Sequence, residues 1–535
     1  MIERLAYMWP EIALFVTTCV VMVIGLSKSR PIRKMSAPIA GAGLVAALVL
    51  SLTTTPYGSA VRETVAQTLL PDMPRFAKAM VAGVGLLLLL LAAGTVDRED
   101  EDRIAADGRA FDPMRSNRAE FYAFFLFSIT GLMLTATASD LVWLFLALEL
   151  TSLPTYIMVA ISSPDSRSKE ASVKYFFLGA LGAATFLFGF ALLYGGTGST
   201  KLNVIASTIA GTGLGGLTMA GLVLSVLGMA FKIAAVPMHF YTADVYQGSS
   251  ASVGGFLAFV PKTAGFLGLM LLLATAGWNH DQGLPESVRT LLWILAVTTM
   301  TVGNVLALLQ RSVKRVLAYS SVAHSGYMLV GLIAGPGSGA NADNGLAAVL
   351  FYLVGYGVTS TGTFAVLASL ERRNADGTAT DADSFADLKG LCRTSPMLGW
   401  TMVVCSLSLL GFPPLLGFFG KLPLFTSGVS AHEVTLVVIL GLNSAVAALY
   451  YLRFTQACLL EDPEAMESPA LPTGVASRPL AGVLAAGGVV VLAVFGGTLL
   501  KESQVAGSSP RLTKEMLHKH VKPAMRDASV EKTPH

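Results

Sequence analysis

Apolar runs of about 18 or more residues recur almost end to end along this chain, separated by polar connections. A run of that length crosses the hydrocarbon core of a bilayer as a helix, and a helix satisfies its own backbone amides where no water can. The pattern therefore predicts spanning helices rather than a barrel. It places about fourteen of them, at 10–28, 36–54, 77–96, 119–138, 140–162, 172–195, 217–243, 250–277, 288–309, 313–335, 345–370, 396–427, 433–455 and 478–500. The fold class expected is an all-α polytopic membrane protein.

Two of these spans, the seventh and the twelfth, are interrupted. Pro237 removes the amide that would bond the carbonyl of Ile233, and Pro413 and Pro414 free the carbonyls of Leu409 and Leu410. Freed carbonyls at membrane depth survive only against protein or water. The breaks occupy matching places in two runs of five spans, 119–277 and 288–455, which points to two inverted repeats of the transporter kind. Around them stand a three-helix segment (1–118), a loop with the last helix (456–500) and a polar basic tail (501–535).

Charge orients the chain. Basic residues gather on alternate connections, including Lys28 to Lys34, Arg98 to Arg118, Arg167 to Lys174, Arg311 to Arg315 and Arg372 to Arg393, and the other side receives few. The basic side is then the cytoplasm of a bacterial inner membrane, and an even span count puts both termini in the periplasm. The first apolar run precedes its basic cluster, so it reads as a retained span and not a signal peptide. The tail after Lys501 is expected to be disordered or to lie on a partner.

Composition agrees with this class. Of 535 residues 53% are hydrophobic and 13% charged, against about 25% charged in soluble domains, so lipid surrounds the chain. A net charge of +3 says little about partners, and nothing points to nucleic acid. The cysteines Cys19, Cys392, Cys405 and Cys458 have no metal-ligand spacing, and no dinucleotide, nucleotide, haem or iron–sulfur motif occurs. No cofactor or metal is expected in this chain; redox chemistry would sit on other chains.

Four charges stand alone in apolar stretches: Glu149 between Leu141 and Pro164, Lys232 between Leu202 and Ala243, Lys262 between Val245 and Asn279, and Lys421 between Thr394 and Ala431. Each costs roughly 2.5–3.5 kcal/mol at the bilayer centre, so together they cost on the order of 10 kcal/mol. Three lysines and a glutamate retained against that cost suggest movement of protons or charge. A Glu149–Lys232 pair would act as a switch, since the carboxylate favours the protonated lysine and burial opposes it. The structural alternative is a set of ion pairs and carbonyl caps that fix helix register. His324, among hydroxyls, and His239 and Asp244, just past the first break, are candidates for relay or entry.

These residues resemble the antiporter-like membrane subunits of respiratory complex I, NADH–quinone oxidoreductase, and among them the subunit N branch. The resemblance is carried by Leu148-Glu149-Leu150, Gly195 to Thr200, Phe231 to His239, Asp244 to Gly248, Pro261-Lys262-Thr263-Ala264-Gly265-Phe266, Arg315 to His324 and Leu410 to Lys421. Sister subunits carry histidine in place of Lys262, which favours the N branch. The chain departs from the family at Met238, Phe240, Ala243 and Ser249-Ser250, where Phe, Trp, Pro and Ala-Pro are usual. The resemblance implies fourteen helices with broken seventh and twelfth spans. It implies Glu149 and Lys232 as a coupled pair, Lys262 as central relay and Lys421 as terminal lysine. It also implies other membrane-arm subunits as partners, with NADH, FMN, iron–sulfur clusters and quinone held by partner subunits. An independent cation–proton antiporter and a passive membrane scaffold are the competing readings.

Overall fold

The computed structural model describes residues 7–53, 69–96, 118–163, 165–278, 284–337, 343–373, 379–462 and 470–508. The first half contains α1 (Trp9–Gly25), α2 (Ser36–Thr53), α3 (Met73–Ala92), α4 (Arg118–Ala136), α5 (Leu141–Ile161), α6 (Ser166–Thr197), α7 (Leu202–Thr212), α8 (Gly216–Lys232), α9 (Thr242–Gly248) and α10 (Ala251–Ala276). The second contains α11 (Glu286–Leu308), α12 (Val313–Ala334), α13 (Gly345–Ala368), α14 (Pro396–Leu410), α15 (Leu416–Ser430), α16 (Val434–Leu459), α17 (Ser477–Val494) and α18 (Gly496–Gly507). Eleven helices among the described residues are long and apolar enough to cross a membrane unaided. The fourteen expected spans add to these α1 and the two interrupted helices, α8 with α9 and α14 with α15.

Side chains set the helix starts. Asp140 accepts from the amide of Trp143 at 2.8 Å, Ser312 from Arg315 at 3.2 Å and Asn344 from Ala347 at 2.9 Å, each covering an amide the first turn leaves free. The pair α6 and α8 packs backbone to backbone: a Cβ on Gly189 would lie 2.5 Å from the amide nitrogen of Ser225, so only glycine fits. The centre of the molecule is α10, α12 and α13, whose apolar windows are 94 to 100% buried and which therefore have almost no lipid face. These three helices also carry Lys262, Ser321, His324, Ser325 and Tyr352, described below.

Three features lie beyond the expected pattern. The short helix α7 fills the connection before α8. A small antiparallel sheet, β1 (Leu370–Arg373), β2 (Ala379–Asp381) and β3 (Ala470–Pro472) in the order β2-β1-β3, adds strands to a helical protein. Its strands are too short to show alternation, and β3 pairs with β1 across about a hundred residues, with Glu371 opposite Leu471. The last expected span is two helices, and residues 501–507 continue α18 with Ser503, Ala506 and Gly507 buried. A Cβ on Gly507 would lie 2.6 Å from the Ala347 amide nitrogen, so this part of the expected tail packs on α13. The rest of the tail, 509–535, and the basic connection 97–117 lie outside the described residues.

Candidate functional site

Helix α8 stops at Lys232, and the chain then turns through Ala234, whose φ of 55° is left-handed. The Ile233 carbonyl, which Pro237 leaves without its amide, accepts from Ser325 Oγ of α12 at 2.5 Å. The amide of Val236 donates to Thr299 Oγ of α11 at 2.9 Å, and the Tyr241 hydroxyl to the Phe231 carbonyl at 2.9 Å. Three side chains from different places thus hold the interruption.

Buried at this break, Lys232 Nζ donates to Glu149 Oε1 at 2.9 Å and to Ser152 Oγ at 2.5 Å. Glu149 and Ser152 are three apart on α5 and share a face. The pair is uneven: the Lys232 side chain is 2% exposed and that of Glu149 17%, on an outward face with the exposed Leu146 and Leu153.

Lys262, on the fully enclosed α10, has no carboxylate partner among the described residues. Its Nζ donates to the Ser321 carbonyl and, at 2.7 Å, to Ser321 Oγ, and it lies 5.0 Å from the centre of the Tyr356 ring. Between Lys232 and Lys262 is a cavity lined also by Tyr175, Tyr241, Thr242, Tyr246 and Ser321. Its space for water centres is about 20 Å³, enough for one water.

Beyond Lys262 the polar groups continue. His324 Nδ1 lies 2.5 Å from the Tyr352 hydroxyl and Nε2 2.7 Å from the Tyr451 hydroxyl. Tyr451 also bonds Ser320 Oγ. A second, smaller cavity of about 10 Å³ lies against His324, Tyr352, Tyr356, Ser408, Gly417 and Gly420, beside the second break. There Gly411 ends α14 at a φ of 89°, and Lys421 Nζ donates to the Leu410 carbonyl at 2.7 Å, one of the two that the prolines free. The lysine also lies 5.3 Å from the centre of the Tyr327 ring. With a buried side chain bonded inward, Lys421 does not reach for an interface.

Glu149, Lys232, Lys262, His324 and Lys421 therefore lie in one core around the two breaks, whereas the expected entry residues sit apart. Asp244, 41% exposed on α9, pairs with Arg315 at 2.8 Å and Lys174 at 3.2 Å, and so fastens α9 to α12 and α6. His239 is half-buried in the turn before α9. Sequence reasoning missed the hydroxyls: Ser152, Ser321, Ser325, Tyr352 and Tyr451. Tyr352 and Tyr356 stand one turn apart in a helix that also carries Thr359, Ser360, Thr361 and Thr363, so their hydroxyls give no separate signal in the sequence. Also missed was the buried pair of Lys78 on α3 with Glu11 on α1, 2.9 Å apart, because each stands at the edge of its apolar run. No cluster of His, Cys, Asp or Glu able to hold a metal occurs among the described residues.

Residues 138–447, which contain both breaks and all five core groups, match the transmembrane family described as NADH:quinone oxidoreductase/Mrp antiporter. The NADH-quinone oxidoreductase subunit N of Myxococcus xanthus is 38% identical over 421 residues, 74% of this chain and 79% of that one. The chain belongs to the subunit N family of NADH-quinone oxidoreductases. A chain of respiratory complex I from Thermus thermophilus superposes with a TM-score of 0.73 at 31% identity, covering 93% of this chain and 100% of that one. A chain of the Mrp complex from Dietzia sp. gives a TM-score of 0.75 at 18% identity, covering 95% and 97%, and shares the fold.

Proposed function

We propose that this chain moves protons across the bacterial inner membrane as an antiporter-like subunit in the membrane arm of NADH–quinone oxidoreductase. NADH, FMN, iron–sulfur clusters and quinone belong to partner subunits, and the energy of electron transfer reaches this chain through conformation and charge. The observation that carries the reading is the row of buried titratable groups, Glu149–Lys232, Lys262, His324 and Lys421. Hydroxyls and two water-sized cavities separate them inside an enclosed core. Protons enter from the basic, cytoplasmic side near α9, load Lys232, pass to Lys262 and His324, and leave by Lys421. Sites this close titrate as a coupled set. Asp244 and His239 border the entry, and both termini lie in the periplasm. The partly exposed carboxylate of Glu149, on the outward face of α5, is where a neighbouring membrane-arm subunit would sense or set the state of the pair. Residues 119–277 and 288–455 act as two half-channels related by inversion.

Membranes carrying Lys262→Ala test the reading. With assembly followed on a native gel, NADH–quinone electron transfer and proton pumping are both expected to fall about tenfold or more, equivalent to about 1.4 kcal/mol or more on the barrier. Assembled complex with both activities near wild type would favour the scaffold reading instead.

A further inference from the structure

An imidazole has two nitrogens through which a proton can enter or leave, and both nitrogens of His324 are occupied. Tyr352 of α13 covers Nδ1 at 2.5 Å and Tyr451 of α16 covers Nε2 at 2.7 Å, each through its hydroxyl. The ring is buried, with Tyr356 and Tyr327 packed against it at centroid distances of 5.0 and 5.5 Å. Neither lysine hydrogen-bonds the imidazole: Lys262 is bonded to Ser321 and Lys421 to the Leu410 carbonyl. The two hydroxyls also face different neighbours. Tyr451 bonds Ser320, next in sequence to the serine that holds Lys262. Tyr352 lines the cavity that Gly417 and Gly420 close on the Lys421 side.

We propose that Tyr451 and Tyr352 are proton-transfer residues: a proton passes His324 only by crossing one tyrosine hydroxyl on each side. This inference rests on the proton route proposed above. In the neutral ring one nitrogen accepts and the other donates. With Nε2 bare, Tyr451 donates its O–H to Nε2, and Nδ1–H donates to the Tyr352 oxygen. A proton reaching the Tyr451 oxygen from the Ser320 side lets Tyr451 release its own proton to Nε2. Nδ1 then gives its proton to the Tyr352 oxygen, and Tyr352 releases its former hydroxyl proton into the cavity beside Lys421. Every group that gains a proton loses one, so neither phenol ends as a phenolate and one proton has crossed the ring. The imidazole is left as its other tautomer and must revert before the next passage.

The test uses the assembled complex in membranes, with Tyr352→Phe and Tyr451→Phe made singly. Each keeps the ring that packs on His324 and removes the bridging O–H. His324→Gln is the third variant, since its amide can accept from one tyrosine and donate to the other but cannot pass a proton. All three are expected to assemble, to lower NADH–quinone electron transfer and proton pumping together about tenfold or more, and to change the solvent deuterium isotope effect on pumping. A merely structural histidine would be replaced by the glutamine without such a change. Phe variants that pump as wild type while Lys262→Ala is inactive would overturn the relay and leave the wider route standing. If Lys262→Ala also pumps normally, route and relay fail together.

Discussion

At the scale of single residues, Lys232 has partners of two kinds, and they do different work. Glu149 supplies the charge that lets a buried ammonium persist, and Ser152 supplies a neutral acceptor, its own proton being given to the Leu148 carbonyl at 2.8 Å. Removing one member of a buried pair leaves the other charge uncompensated, which costs about 3–5 kcal/mol; exchanging both for apolar groups is close to neutral. Glu149→Ala is therefore expected to lower the stability of the complex by about 3 kcal/mol, at the lower end because Glu149 is partly open. Adding Lys232→Met should restore the melting temperature without restoring proton pumping. Restored pumping would mean that the pair only ties α5 to α8. The four charges were legible in the sequence because a lone charge in an apolar run is costly enough to demand a reason. Ser152, Tyr352 and Tyr451 were not, because a serine hydroxyl can always turn to its own helix, as Ser152 does, and a tyrosine ring reads as core.

At the scale of elements, α12 joins Lys262 to the lysine of the first break through serines one turn apart. Ser321 holds Lys262, while Ser325 holds the freed Ile233 carbonyl next to Lys232. The single proton of Ser325 Oγ has two acceptors in reach, Ile233 O at 2.5 Å and Ser321 O at 3.3 Å, and the second also takes the Lys262 ammonium. Movement of Lys262 away from Ser321 would free that carbonyl for Ser325 and release the break. Ser325→Ala is thus expected to cost about 1 kcal/mol in stability and to lower protons pumped per electron, with Ser325→Thr recovering both. An unchanged pumping ratio at wild-type assembly would remove α12 as the link. The breaks themselves were readable, since proline has no amide to give. What replaces that amide was not, because Ser325 lies 92 positions from Ile233 and no local pattern joins them. The small sheet escaped for a like reason, since β3 pairs with β1 about a hundred positions away.

At the scale of the whole molecule, the basic end is fastened by ion pairs that cross between helices. Asp381, at the end of β2, accepts from Lys314 Nζ of α12 at 2.9 Å and from the Ala251 amide that starts α10 at 2.6 Å, and Glu371 of β1 pairs with Arg478 of α17 at 3.1 Å. The sheet thereby locks the ends of α10, α12 and α17, the first two of which carry Lys262 and Ser321, so the geometry around Lys262 depends on charges at the helix ends. Burial pushes the Asp381 carboxyl up, but the Lys314 ammonium and its hydrogen bond, with the Ala251 amide, hold it below the usual carboxylate value. A carboxyl lowered on folding contributes stability that is full above its unfolded pKa, roughly 4, and lost as pH falls through its lower folded value. Asp381→Asn is therefore expected to destabilise the complex by the same amount at every pH from about 5 to 8, about 3 kcal/mol because Lys314 is left buried without its counter-ion. The gap between variant and wild type should close only below about pH 4, where Asp381 in the wild type takes up its proton. A gap that already narrowed between pH 5 and 7 would mean that a group titrating near neutrality, and not this carboxylate, fastens the basic end. Proton uptake there would then alter the clamp itself as well as load the lysines it positions.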